Sequence, residues 1–261
     1  PLLEVVDTLV GLNQLGIAGR ERSDSRIIAV TGSVGKTSVK EALAKLLENQ
    51  GVVSYSLGSL NNQYGVPLSL ARLPEDAEFG IFELGMNHAG ELRSLAHMVR
   101  PLIAIVTTVE IAHLENFESI DDIARAKAEI FSGLQHGGIA ILNRDNAQFR
   151  ILEDVAISAG VEVVTFGAHE EAAFRLVSAE TASDHSLVRA DLNGSELTYK
   201  LRLPGYHWIQ NSLAVLATVY SVGADVFDAA QAFTKIKPLK GRGLKYTVRS
   251  SSYAFKLIDD S

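Results

Sequence analysis

Cysteine is absent from these 261 residues, so the chain forms no disulfide, carries no thiolate nucleophile and ligates no metal through sulfur. That fits a reducing compartment, and the cytosol is the expected location. Basic charge is in deficit too: 24 Lys and Arg stand against 31 Asp and Glu, a formal net charge of −7. This balance argues against nucleic-acid or anionic-membrane partners, so small molecules are the expected partners; a monomer is expected. Long apolar runs are lacking; stretches such as LIAIV at 102–106 fall far short of the roughly 20 residues that a spanning helix needs. No signal-peptide pattern, internal repeat or low-complexity segment is found, and the start at Pro1 without a methionine reads as a piece of a longer protein. What is present is 47% hydrophobic and 21% charged, an ordinary soluble composition with chain enough for one large or two small domains.

The most informative dozen residues run from Ile27 to Ser38, IIAVTGSVGKTS. An apolar strand enters a turn bracketed by Gly32 and Gly35, and Lys36-Thr37 opens a helical pattern in which Val39, Leu43, Leu46 and Leu47 share a face. Glycines let backbone N–H groups close on phosphate oxygens, a lysine reaches the terminal phosphates and a threonine hydroxyl holds Mg²⁺. The segment from Thr31 through Gly32, Ser33, Val34, Gly35, Lys36, Thr37 and Ser38 is therefore expected to cradle the phosphates of a nucleoside triphosphate. The usual first glycine, five positions before Gly35, is Val30, which makes this the shorter T-G-x-x-G-K-T form.

Strand patterns at 27–31, 52–56, 79–84, 102–109, 138–142 and 161–166 alternate with helical ones at 37–49, 66–72, 90–99, 120–134 and 146–159. That predicts an α/β fold with a doubly wound, mostly parallel sheet of the P-loop type. Beyond Gly167 shorter alternating runs at 173–180, 185–192 and 196–203 predict a small antiparallel β patch, with Asn193-Gly194 as a hairpin turn. Helices at 206–222 and 225–236, a KGRG loop and a strand at 253–258 follow. An amphipathic helix from Leu2 to Leu15 and a polar turn precede the first strand.

Ligands of open α/β sheets bind beyond the carboxyl ends of the strands. Glu83 closes the third strand, placed either as a solvated strand end or as a magnesium ligand beside the phosphate loop. His113, near Glu110 after the fourth strand, is a second candidate, whereas His88, His97, His136, His169 and His185 look structural or exposed. Lys127 lies on the apolar stripe Ile123, Ile130, Phe131 and Leu134 of its helix. A lysine there either snorkels to solvent or is desolvated into a nucleophilic amine.

Together TGSVGKTSVKE, LNNQYGVPLSL, FELGMNHAGEL, AHLENF with ARAKAEIF, LNRDN, PGYHWIQNSLA, KGRG and LIDDS resemble the Mur ligases, in family order and over nearly the whole chain. The Asn-Asn-x-x-Gly-Val-Pro and Gly-Met-Asn-x-x-Gly-Glu segments are most similar to the member that adds D-alanyl-D-alanine. The resemblance implies an ATP-dependent amide ligase of peptidoglycan precursor synthesis that joins a UDP-N-acetylmuramoyl tripeptide to D-alanyl-D-alanine through an acyl phosphate. It also implies that Thr37 and Glu83 hold one Mg²⁺, that His113 and Lys127 serve a second, and that Lys127 is carbamylated by CO₂ to supply an anionic oxygen. Asn211 would contact adenine, Arg242 the γ-phosphate and Asp260 the ribose, with Asn61 or Asn62 near the phosphates. Where many members carry asparagine after the histidine of the HWIQN segment, this chain has Trp208. Residues 1–24 would form an interdomain helix and turn, and 25–261 the central ATP-binding domain, with the UDP-sugar and amine-binding domains absent. A sibling ligase such as a folylpolyglutamate synthase, or a catalytically silent nucleotide-binding module, are the alternatives.

Overall fold

The computed structural model describes residues 4–111, 116–203, 205–237, 244–249 and 253–259. Its main strands are β1 (Arg26–Thr31), β2 (Val53–Tyr55), β3 (Phe79–Glu83), β4 (Ile103–Val106), β5 (Ile139–Asn143), β6 (Glu162–Gly167), β7 (Phe174–Thr181), β8 (Ser186–Leu192) and β9 (Ser195–Leu201). The helices are α1 (Thr8–Glu21), α2 (Lys36–Leu47), α3 (Gly65–Ala71), α4 (Glu91–Val99), α5 (Ile120–Ala128), α6 (Phe149–Ser158), α7 (Tyr206–Ser221) and α8 (Val226–Ala232). The nine strands form one sheet in the order β2-β3-β1-β4-β5-β6-β7-β8-β9. It is parallel from β2 to β7 and antiparallel from β7 to β9. The antiparallel patch thus continues the main sheet, through the short parallel pairing of Phe166 with Phe174.

Helices cover both faces, which is why β1, β3 and β4 read as unbroken apolar runs. Side chains alternate across the pleat. Ile28 and Val30 of β1 pack into the core with α2, α7 and α8. Ile27 and Ala29 pack into the opposite core with α3, α4, α5 and α6. The β8–β9 turn is the expected one: Asn193 and Gly194 take φ of 53° and 91°, and the Gly194 N–H donates to Asp191 Oδ1 at 2.7 Å. Positive φ at both central residues matches the right-handed twist of the flanking strands.

Three elements differ from expectation. Helix α1 starts at Thr8, six residues later than its apolar pattern, because Asp7 caps it by accepting from the Val10 N–H at 2.8 Å. It packs on α3 through glycine: a Cβ at Gly16 would lie 2.8 Å from Pro67 Cα, and one at Gly19 would lie 2.2 Å from the Leu70 carbonyl oxygen. The expected helix over 120–134 is α-helical only to Ala128 and tightens into a 3₁₀ turn over Glu129–Gly133. A strand not anticipated from the sequence, β10 (Leu244–Arg249), pairs antiparallel with β11 (Ala254–Asp259).

Candidate functional site

The loop between β1 and α2 folds as the glycine spacing requires. Gly32 and Gly35 take φ of 144° and 87°, where L side chains are strained. At Gly32 a Cβ would also meet Thr107 Oγ1 at 1.9 Å. Gly35 precedes α2 and offers no side-chain cap, so the positive end of that helix is directed into the loop. The loop is sewn to the chain after β4: Thr107 Oγ1 donates to the Val34 carbonyl at 2.5 Å, and Ser33 N–H to the Thr108 carbonyl at 2.9 Å. Lys36 folds over it, its ammonium donating to the Gly32 and Ser33 carbonyls at 2.7 and 3.3 Å. The hydroxyl of Thr31, at the strand end, is buried with no hydrogen-bond partner. An uncapped helix start, an orphaned hydroxyl and a lysine resting on its own loop fit a phosphate chain.

Glu83 is buried rather than solvated. Its Oε2 accepts from the Thr37 hydroxyl at 2.8 Å and its Oε1 from the Asn61 amide at 2.8 Å, while its backbone N–H donates to Ser56 Oγ at 3.2 Å. A hydroxyl and a carboxylate in contact beside a phosphate cradle fit a magnesium ion, which takes one or two protein oxygens and completes its shell with phosphates and water. Among the described residues no group of three or more His, Cys, Asp or Glu side chains is arranged for a metal, so such an ion would depend on those outside oxygens.

The segment that delivers Asn61 is held by a residue that the sequence reading passed over. Lys40, one turn beyond Lys36, is wholly buried. Its ammonium donates to the Ser56 and Gly58 carbonyls at 2.7 and 2.6 Å and pairs with Glu41 at 3.0 Å. Helix α2 thereby fixes the chain that carries both Ser56 and Asn61 to Glu83. Lys40→Met should cost about 2 kcal/mol, because the buried Ser56 carbonyl and the part-buried Gly58 carbonyl lose a charged donor. Urea unfolding measures this, and a loss under about 0.5 kcal/mol would show that those carbonyls find other donors.

Lys127 is also buried, on α5, and its pKa is lowered from 10.5 to about 7, first by desolvation and then by the positive charge of Lys36. The snorkelling alternative is thereby set aside: the amine stays inside and within electrostatic reach of the phosphate loop. Glu129, two residues on, accepts from the Gly90 N–H at 2.8 Å and the Arg93 N–H at 3.2 Å, tying the end of α5 to the start of α4. His113, Arg242 and Asp260 lie outside the described residues.

The two asparagines divide their work. Asn61 reaches Glu83, whereas Asn62 Oδ1 accepts from the Tyr64 and Gly65 N–H groups at 3.2 and 3.0 Å and so caps the first turn of α3. Both line a cavity of about 460 Å³, with Lys36 on one side and Met86, Asn87 and Glu91 on the other. Asn211 of α7 stands against the phosphate loop, its Oδ1 3.0 Å from where a Gly35 Cβ would be. A further node escaped the sequence reading: Asp145, after β5, accepts from the Ala168 and His169 N–H groups and from Gln210 Nε2 at 2.7, 2.8 and 2.8 Å, joining β6 to α7. The LNRDN segment contains it and is the one signal that could have found it.

Residues 30–219 match the model of the Mur ligase middle domain. The UDP-N-acetylmuramoyl-tripeptide–D-alanyl-D-alanine ligase of Escherichia coli K12 is 35% identical over 270 aligned positions, covering 100% of this chain and 57% of that protein. A crystal structure of MurF from Acinetobacter baumannii superposes with a TM-score of 0.90 at 29% identity, over 99% of this chain and 56% of that one. A Thermotoga maritima MurF ligase solved with ADP shares the fold at 24% identity and a TM-score of 0.82, over 99% and 58% of the two chains. The chain thus spans little more than half the length of these relatives. Its sheet, its phosphate loop and the match across most of its length place it, through the middle domain, in the Mur ligase family.

Proposed function

We propose that this chain is the ATP-binding part of a ligase that adds D-alanyl-D-alanine to a UDP-N-acetylmuramoyl tripeptide. The observation that carries the reading is the convergence of Lys36, the Thr37–Glu83 pair and the low-pKa Lys127 at one end of the sheet. The loop from Thr31 to Ser38 holds the β- and γ-phosphates, Thr37 and Glu83 hold Mg²⁺, and Asn211 faces the nucleotide from α7. Lys127, as a carbamate formed with CO₂, and His113 serve a second ion, with Arg242 on the γ-phosphate and Asp260 on the ribose. Bound magnesium neutralises phosphate oxygens during transfer.

The substrate carboxylate enters through the cavity beside Lys36 and Asn61, and its oxygen attacks the γ-phosphorus as ADP leaves, giving an acyl phosphate. The D-alanyl-D-alanine amine then attacks the acyl carbon, phosphate departs and the amide forms. Lys36 and the loop N–H groups stabilise charge on the moving phosphoryl oxygens. Residues 1–24 serve as the interdomain helix and turn, and 25–261 as the central domain. The parts of the longer relatives outside the matched stretch hold the UDP-sugar and the amine. No helix among the described residues is long and apolar enough to cross a membrane, and the protein works in the cytoplasm as a monomer.

The test is product analysis. A full-length protein containing this chain should form UDP-muramoyl pentapeptide with D-alanyl-D-alanine and ATP, and should release no comparable product with glutamate and a folate. The 261-residue chain alone should yield no amide, since holding both reactants in attack geometry accounts for about 7–11 kcal/mol of such catalysis. Efficient ligation by the isolated chain would overturn its assignment as a nucleotide-binding part.

A further inference from the structure

We propose that Glu129 is a positioning residue for the peptide substrate, an inference that rests on the ligase reading above: its carboxylate fixes the cavity wall that faces Lys36 and ties that wall to the segment carrying Lys127. The wall is built by the chain after β3 and the first turns of α4, which contribute Gly85, Met86, Asn87, Glu91, Ser94 and Leu95. Its near end is joined to the metal side of the site, because the Gly85 N–H donates to the Asn61 carbonyl at 2.8 Å. Its far end has no cap of its own. Helix α4 begins after Gly90, which takes φ of 89° and brings no side chain. Glu91, the acidic residue of the first turn, is turned back onto the preceding loop, where its Oε2 accepts from the Asn87 and His88 N–H groups at 2.8 and 3.3 Å. The first N–H groups of α4 therefore need an acceptor from elsewhere in the chain.

Glu129, 39 positions beyond Gly90, is that acceptor. It receives the Gly90 N–H on both oxygens, at 2.8 and 2.9 Å, and the Arg93 N–H on Oε2 at 3.2 Å. These two donors bracket Glu91 and precede Ser94, so the carboxylate is bonded to the backbone of the wall itself. A negative charge at a helix N-terminus adds to the hold. Glu129 is itself rigidly placed: it opens the 3₁₀ turn after α5, and that turn lies flush on α4, since a Cβ at Gly133 would come within 2.3 Å of the Ala96 carbonyl. Lys127 stands two residues before it. One side chain thus sets the spacing between the buried amine and the wall along which a peptide carboxylate reaches Lys36, and a misplacement of about 1 Å at such a site costs up to about a hundredfold.

The experiment is steady-state ligation by a full-length protein containing this chain, with each reactant varied in turn. In Glu129→Ala the Michaelis constant for the UDP-muramoyl tripeptide should rise on the order of tenfold, while those for ATP and D-alanyl-D-alanine stay within about twofold of wild type. Glu129→Gln keeps one acceptor oxygen for the Gly90 N–H and should fall between wild type and the alanine variant. A role confined to stability would reduce the amount of active enzyme, lowering kcat and leaving every Michaelis constant where it was. That result, an equal rise in all three constants, or a tripeptide constant unchanged in both variants would each overturn the positioning role alone. Should the alanine variant not fold, the glutamine variant decides, by a raised tripeptide constant beside an unchanged ATP constant. If the wild-type protein itself forms no pentapeptide, the ligase reading fails and the positioning role with it.

Discussion

Lys36→Ala should weaken Mg-ATP binding by about a hundredfold, because a charged hydrogen bond to phosphate is worth about 1.5–3 kcal/mol and the ammonium has three donors to offer. The fold should survive, since Lys36 is only partly buried and its ammonium donates to the carbonyls of its own loop. Those bonds show that the ammonium already sits over the turn, so binding requires it to swing from carbonyl to phosphate oxygen without large rearrangement. The substitution has a second consequence. Lys36 is one of the two causes that depress the Lys127 pKa, so its removal should move that pKa back toward the ordinary lysine value. Calorimetry on the wild-type chain and the variant measures the first effect; equal affinities would mean that the Gly32–Thr37 turn is not a phosphate cradle.

Much of this site is written locally. The strand, the two glycines and the Lys-Thr pair lie within a dozen residues, and each constrains the next, so the β1–α2 turn was legible before any coordinates. That Lys127 is unusual was legible for a related reason: a charge on an apolar stripe is a local contradiction, which the fold resolves by burying the amine. Contacts between distant residues were not legible. Thr37 meets Glu83 across 46 positions, and nothing in either segment specifies the pairing, which follows from β1 lying beside β3.

Between Asn61 and Asn62 the sequence offers no choice, because the decision depends on which amide faces Glu83 once the other has capped α3. Lys40 was missed because its apolar neighbours on α2 explain the helix without it, and the two carbonyls that bury it belong to a loop some 16 to 18 residues away. Helix α1 shows the converse. It packs by what Gly16 and Gly19 lack, so its buried face carries no apolar stripe, and Val10, Leu15 and Ile17 of the same helix lie exposed.

Lys127 should be expendable for folding and indispensable for ligation. Its amine titrates at about 7 in the folded chain against 10.5 for an ordinary lysine. Between those values the unfolded chain binds the extra proton and the folded chain does not, so the stability contribution of this residue rises with pH across that window and is most unfavourable below about 7. In the absence of magnesium and bicarbonate, Lys127→Met should therefore be more stable than wild type at pH 6, by roughly 5 kcal/mol for a shift of this size. The difference should shrink to near zero by about pH 10. Urea unfolding at several pH values checks this, and a pH-independent difference would mean that the ammonium is solvated in the folded state.

Activity should move the other way. On the proposed reading the neutral amine takes up CO₂ near pH 7, and the carbamate would give the anionic oxygen that a metal ion can use. Lys127→Ala in a full-length protein containing this chain should lose at least about two orders of magnitude in ligation rate, a typical cost for removing one electrostatic contact to the transition state. Acetate should restore part of that rate by placing a carboxylate where the carbamate stood, and should do nothing for the wild type. A Lys127→Ala enzyme that ligates at near the normal rate without acetate would show that this buried lysine is not part of the chemistry.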